Sequence, residues 1–442
     1  MSRQHRILSV AILLVLAVAG TLLAQQKPPL RLTLAEAVRV ALRQNPEVQI
    51  AHLDVAESRE DRSIARSALL PQAGLSVSDA ATRRNLEAFI GRRIPGFPQH
   101  VGPFQTFQAG PGVSVPVFDL TLWRRFQASG RMVNGTQAQQ LTVRERTTLL
   151  VVSQYLGCLR GAADVRAAQS RAALAQALYD QAVELQKQGI STALDTLRSN
   201  VELQNEKQRL IAAETQRKTS LYGLAQLLNL DPHQQVELAD EMSFFETPQF
   251  GMEESVESAY ASRPEMKTLL AQESAARLEM RAAGAERLPK VLVEGNWAYQ
   301  GLSAARSIPA YQYQVTLQVP LFTGGRIHAE TAKARIELKK LDRQIDDLKS
   351  RIALQVKTAV EQLNAAQNEV QVANLGVELS KDEVEQAQER FQAGVANNIE
   401  VTSAQDALSR ANDNQIGALY RYNQARADLA HATGQIEKLY AQ

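Results

Sequence analysis

A single cysteine, Cys158, stands in the 442 residues, which excludes an intrachain disulfide and any cysteine-based metal cluster. It sits in a helical pattern and reads as a small packed hydrophobe. Aromatic residues are scarce at 5%. An excess of one charge is missing too: 49 basic against 47 acidic residues leave a formal net charge of +2. Neither nucleic acid nor a strongly charged partner is indicated by that balance. The histidines (His5, His52, His100, His233, His328 and His431) are scattered, with no pair at metal-ligand spacing. No catalytic residue and no cofactor site are expected. Gly324-Gly325-Arg326 lacks the Gly-Lys-Ser/Thr ending of a phosphate loop and reads as a strand-to-helix hinge. Past the N-terminal segment no apolar run is long enough for a spanning helix. A membrane crossing would have to be made of strands.

The N-terminal segment has its own signature. Arg3, His5 and Arg6 precede an apolar run from Ile7 to Val18 that continues through Leu22 and Leu23 to Ala24. Residues 1–24 read as a secretory signal peptide, cut between Ala24 and Gln25. An uncleaved membrane anchor is the competing reading, and the polar, proline-containing stretch 25–29 favours cleavage. No cysteine lies near the cut, which argues against a lipidated N-terminus.

The chain then repeats itself. Arg43-Gln44-Asn45-Pro46-Glu47 returns as Ala261-Ser262-Arg263-Pro264-Glu265, and Leu70-Pro71 returns as Leu288-Pro289 at the same offset. Val115-Pro116-Val117-Phe118 matches Val319-Pro320-Leu321-Phe322, and the turn at Gln188-Gly189 matches Ala393-Gly394, both at a shorter offset. Four landmarks in one order indicate a tandem duplication, one copy carrying a longer loop. The expected organisation is a first repeat at 25–230, a linker at 231–250 and a second repeat at 251–442.

Each copy reads alike. A helical segment (34–69; 252–287) stops at the Leu-Pro pair. Two strands follow, separated by a loop (81–109; 301–310), and then a very long helix with a shorter return helix. The strands alternate: Tyr311, Tyr313, Val315, Leu317 and Val319 on one side, Gln312, Gln314, Thr316 and Gln318 on the other. Val291, Val293, Trp297 and Tyr299 oppose Glu294, Asn296 and Ala298. Val113, Val115 and Val117 oppose Ser114, and Leu75 and Val77 oppose Ser76 and Ser78. Such alternation marks transmembrane barrel strands, weakly for each strand alone. A half-buried strand of a soluble sheet fits any one of them equally; four together, behind a signal peptide, favour the barrel. Trp297 suits an interfacial aromatic belt, and Trp123 a packing position at a helix start.

Residues 325–392 contain no proline; at ~1.5 Å per residue they make a rod of roughly 100 Å. Leu338, Leu341, Ile345, Leu348, Ile352, Val356, Ala359, Leu363, Ala366, Val370, Ala373 and Val377 step by threes and fours, the pattern of a coiled-coil seam. Its return helix is expected at 399–433. The first copy has its rod at 120–188 and its return at 194–228.

Together these motifs resemble the TolC family of outer-membrane efflux proteins over the whole mature chain. The carriers are Leu34-Ala35-Glu36-Ala37, Asn45-Pro46-Glu47, both Leu-Pro stops, both Val-Pro-(Val/Leu)-Phe strand exits, Gly324-Gly325-Arg326 and the paired turns. The resemblance implies a homotrimer. Its fold would be a twelve-stranded outer-membrane β-barrel, four strands per chain, continued by a periplasmic coiled-coil barrel of helices. Strand count argues the same way, since four strands cannot close a barrel and open edges are forbidden in lipid. It further implies an exit duct of a tripartite efflux or type I secretion system, whose partners are a periplasmic adaptor, an inner-membrane transporter and outer-membrane lipid. The alternative is a periplasmic coiled-coil adaptor or scaffold without a channel, which leaves the four amphipathic strands unexplained.

The family's periplasmic tip maps onto Gly189, Ile190 and Ser191 and onto Gly394, Val395 and Ala396, as the adaptor-docking turns. Asp195 and Glu400 match acidic positions near the pore constriction. Phe391, Ala396 and Ser403 depart from the family's closing network. No basic residue occurs from 393 to 408 to pair with Glu400, whereas Asp195 has Arg198 three positions on.

Overall fold

The computed structural model describes residues 29–189, 192–244, 251–393, 395 and 398–441. The signal-peptide reading of 1–24 lies outside them, as do Ile190, Ser191, Gly394 and Ala396 of the expected tip. The chain divides into two units. One contains Thr142–Arg263, Arg351–Gln442 and the chain through Ile50; the other contains Ala51–Leu141 and Pro264–Ser350.

Each half opens with two helices rather than the one expected. Helix α1 (Leu34–Gln44) starts on a capping box: Thr33 N donates to Glu36 Oε2 at 2.9 Å, and Glu36 N to Thr33 Oγ1 at 3.3 Å. It ends because Pro46 follows Asn45. A residue before proline is driven out of the helical region, and Asn45 has ψ 129°. Pro46 then opens α2 (Pro46–Ser67), a first-turn position that needs no N–H donor. The second half does the same at α6 (Met252–Ser262), Arg263 (ψ 127°) and α7 (Pro264–Ala285); α3 is the short helix described below.

The strands β2 (Gln72–Asn85), β3 (His100–Phe118), β5 (Lys290–Gly301) and β6 (Ser307–Gln318) form one antiparallel sheet in the order β2-β3-β5-β6. Its register sorts the faces as the alternation predicts. Val115 lies opposite Val293, Val293 opposite Val315, and Trp297 opposite Tyr311. Ser114 lies opposite Glu294, Glu294 opposite Gln314, and Asn296 opposite Gln312. Directly paired residues share a face, so one side is apolar and aromatic and the other is amide- and hydroxyl-bearing.

The loop boundaries differ from expectation. Of 81–109, only the stretch from Leu86 to Gln99 is outside the strands, and it holds α3 (Leu86–Ile90). Polar residues such as Thr82 and Arg84 stay in the ladder because pairing is made by the backbone, Arg84 opposite Val101. The second connection shrinks to the residues between Gly301 and Ser307, with a single 3₁₀ turn at Ala304–Arg306. A Cβ on Gly301 would meet Arg306 O at 2.4 Å, and one on Gly110 would meet Trp297 O at 2.2 Å. Both approaches require glycine.

The long helices fall where the periodicity puts them: α4 (Leu120–Lys187, 68 residues) with α5 (Ala193–Leu227), and α8 (Arg326–Gln392, 67 residues) with α9 (Asn398–Ala432). Every residue of the expected seam from Leu338 to Val377 is buried or half-buried. Gly324 and Gly325 both have left-handed φ (59° and 83°) just before α8 starts, which is the expected hinge.

The expected linker at 231–250 is partly structured. Strand β4 (Val236–Leu238) pairs in parallel with β1 (Leu30–Leu32), and α10 (Ile436–Tyr440) closes the described chain. These elements cover a core of Leu32, Val38, Val151, Val152, Tyr155, Leu224 and Leu228. Cys158 is buried in the same core, where desolvation pushes its thiol up to about 12, leaving it un-ionised and inert.

Candidate functional site

The first tip joins α4 to α5. Gly189 takes φ 73°, the left-handed form that ends many helices. Thr192 then caps α5 through a reciprocal pair with Asp195. Thr192 Oγ1 donates to Asp195 Oδ2 at 2.6 Å, Thr192 N donates to the same oxygen at 3.2 Å, and Asp195 N returns to Thr192 Oγ1 at 3.3 Å. Across the turn Thr196 Oγ1 meets Gln186 Oε1 at 2.7 Å. The Asp195 carboxylate is exposed and is oriented by its own helix start.

The second tip joins α8 to α9. Val395, an exposed residue, donates its N–H to Arg390 O at 3.0 Å. Ala387, Val401 and Ala404, with Val384, form a small apolar cluster beneath it. Arg390 reaches across the turn, and its Nε lies 2.9 Å from Glu400 Oε1. This corrects the expectation that Glu400 lacks a local basic neighbour: its partner sits three residues upstream of the window from 393 to 408. A hairpin brings together residues that a helical spacing keeps apart.

A charged cluster unforeseen in the sequence ties the two helix pairs together. Arg171 on α4 contacts Glu206 on α5 (Nε to Oε2, 3.5 Å) and donates through Nη1 to Asp413 Oδ1 on α9 at 2.9 Å. Arg209 also pairs with Glu206, which is only 5% exposed. A buried carboxylate needs such partners, since leaving one charge unpaired costs several kcal/mol. The only sequence signal is an arginine in an alanine-rich seam.

The sheet supplies the other candidate surface. Trp297 is 62% exposed on the apolar face, with Tyr311 opposite and Tyr299 and Tyr313 nearby on the same side. Trp123 packs on Phe126, ring centroids 5.8 Å apart. Among the described residues no helix is long and apolar enough to cross a membrane, and no group of three or more His, Cys, Asp or Glu side chains is placed to hold a metal ion.

The sequence profile of the family described as "Outer membrane efflux protein" matches residues 37–230 and 256–435. The chain belongs to the outer membrane efflux protein family. The two matched stretches fall one in each half of the chain, each with its tip hairpin. The chain is 23% identical over 433 residues to the alkaline protease secretion protein AprF of Pseudomonas aeruginosa, spanning 94% of this chain and 87% of that one. It is 22% identical over 423 residues to the outer membrane protein TolC of Vibrio cholerae, spanning 92% and 91%. Its fold matches the CmeC outer membrane channel of Campylobacter jejuni with a TM-score of 0.80 at 16% identity, over 91% of this chain and 86% of that one. The fold of this outer-membrane efflux family member is therefore that of an outer-membrane channel, mostly helical with one four-stranded sheet and one short parallel strand pair.

Proposed function

We propose that the protein is the outer-membrane exit duct of a tripartite efflux or type I secretion system, a passive channel made of three identical chains. The observation that carries this is the four-stranded sheet. One face is apolar with clustered aromatics, the other is polar, and among the described residues β2 and β6 each have an unpaired edge. In lipid an open edge is not tolerated, and four strands are too few to enclose a lumen. Three copies supply twelve strands and remove every edge. Two matching halves, each with an 11-residue and a 22-residue helix before its strands, support a tandem duplication at 25–230 and 251–442. On this reading the apolar face meets outer-membrane lipid, the polar face lines the barrel, and the helices form a periplasmic tube.

The tip turns around Gly189, Ile190 and Ser191 and around Gly394, Val395 and Ala396 are the proposed docking points for a periplasmic adaptor serving an inner-membrane transporter. Detergent-solubilised protein should sediment at three times the mature chain mass. Val395→Glu should preserve that trimer while abolishing adaptor capture and export. A stable, fully helical monomer in detergent would overturn the duct, and normal export by Val395→Glu trimers would overturn the docking role alone.

Asp195 and Glu400 are the proposed constriction. Rings of carboxylates in a narrow pore favour cations. The Arg390 pair changes what a mutation should do: Arg390→Gln exposes three carboxylates and should strengthen cation preference and multivalent-cation block, whereas Glu400→Gln should weaken both. Because the pair is exposed, either change should alter stability by only about 1 kcal/mol or less. Single-channel recordings in planar bilayers read these shifts; identical selectivity in both variants and the parent would remove Glu400 from the constriction.

A further inference from the structure

The hairpin of β2 and β3 reaches well past its neighbour. Pairing of β3 with β5 ends at Phe107 and Gly301, where the β5–β6 turn begins, whereas β2 and β3 stay paired to Asn85 and His100. At ~3.3 Å per residue and a strand tilt of ~40°, this places the cap roughly 15 Å beyond the end of the shorter hairpin. The aromatic residues Trp297, Tyr299 and Tyr311 lie on the apolar face near that shorter end, the position of an interfacial girdle.

The cap is built, and it is chemically distinct from the rest of the sheet. Leu86 N donates to Gln99 O at 2.9 Å across its base, and Asn85 Oδ1 caps α3 by accepting from Ala88 N at 3.1 Å. Arg83, Arg84, Arg92 and Arg93 are all exposed, against the single acid Glu87 in residues 83–99. Arg83 contacts the ring of His100. Phe89, between the two arginine pairs in the chain, is 79% exposed, and Phe97, just after the second pair, is 65% exposed. Large aromatics left in water beside guanidinium groups fit an interfacial surface. Such rings suit a glycolipid layer, and the planar donor forks match phosphate oxygens.

We infer that this arginine–phenylalanine cap binds the phosphorylated saccharide headgroups of an outer-leaflet glycolipid, anchoring each protomer to the outer face of the membrane. The inference rests on the proposed outer-membrane placement of the sheet. Charge complementarity selects a phosphate-bearing partner. Height selects the glycolipid: ordinary phospholipid headgroups occupy only about 5–8 Å on each side of the hydrocarbon, short of the cap.

Two single-tryptophan proteins separate this inference from the reading beneath it. Trp123→Phe leaves Trp297 as the reporter of the apolar face. Adding Trp297→Phe and Phe97→Trp moves the reporter to the cap. The full-length trimer is reconstituted in phosphatidylcholine alone, with phosphatidylglycerol, or with lipopolysaccharide. Quenching of Trp297 by bromine-labelled acyl chains reports the membrane placement in all three; its absence would reject that placement, not the cap. The cap reporter should be shielded from acrylamide only with lipopolysaccharide. Arg92→Gln with Arg93→Gln should weaken that shielding roughly five-fold per arginine removed, while Arg92→Lys with Arg93→Lys, checked by trimer yield, should retain most of it. Equal quenching in all three bilayers overturns the cap's role. Equal shielding by phosphatidylglycerol, or shielding in detergent by inorganic phosphate alone, overturns the glycolipid assignment.

Discussion

If three chains close one barrel as proposed, Val315→Arg is expected to remove nearly all assembled trimer from the outer membrane, while Gln314→Arg, one residue away, leaves assembly intact. Val315 is 72% exposed in the protomer and lies opposite Val293 on the apolar face. Gln314 lies opposite Glu294 on the other face and donates to Thr316 Oγ1 at 3.0 Å. An arginine on a lipid-facing strand position near the bilayer centre costs ~2–4 kcal/mol, and the trimer would carry three of them. On the polar face, the proposed lumen side, the same side chain would project into water opposite the Glu294 carboxylate. The check is the amount of trimer in purified outer membranes for the two variants. Comparable loss from both would show that the sheet's faces are not divided between lipid and lumen, whatever their composition.

Tyr155→Ala should be the most damaging single change in the helical unit. Tyr155 is fully buried in the core shared by α1, α4 and α5. Its hydroxyl meets Leu32 O at 2.9 Å and Asp240 Oδ2 at 3.0 Å, and the same carboxylate oxygen accepts from Leu34 N at 2.7 Å. One side chain thus joins β1, the start of α1 and the segment after β4. Burial, and then the bond to Asp240, raise the phenol's pKa far above its ordinary value, so it remains a proton donor throughout the physiological range.

Truncation to alanine removes a ring from a close-packed site, a loss of ~3–5 kcal/mol. Tyr155→Phe keeps the ring and removes one of two donors to each acceptor, since Leu34 N still reaches Asp240 Oδ2 and Ala239 N still reaches Leu32 O, for ~0.5–1.5 kcal/mol. Urea titration followed by helical circular dichroism orders the variants: alanine well below phenylalanine, phenylalanine below the parent. If phenylalanine matched the parent, the hydroxyl's two contacts would be doing no more than replacing water.

The sequence alone determined what depends on short-range periodicity. The rods and their return helices were legible within a residue or so, because threes and fours from Leu338 to Val377 admit one helical face and no proline interrupts them. The sheet's faces were legible because side chains alternate strictly along a strand. The hinge at Gly324 and Gly325 followed from two adjacent residues that alone tolerate left-handed backbone. Asn45-Pro46 is visible too, but a proline opening a new helix and one kinking a continuous helix read alike, so one helix is expected where two exist.

Only the tertiary structure decided which distant residues meet. The β1–β4 pair joins three-residue strands too short to announce themselves, separated by most of the first half of the chain. The hairpin's extension to Asn85 and His100 is held by backbone bonds that polar sequence does not advertise. Arg390 with Glu400, and Arg171 with Glu206 and Asp413, are pairs across turns and between helices. Periodicity fixes which side of a helix a residue occupies. It carries no information about which partner helix, at what height, will face it, because that is set by the packing of whole elements.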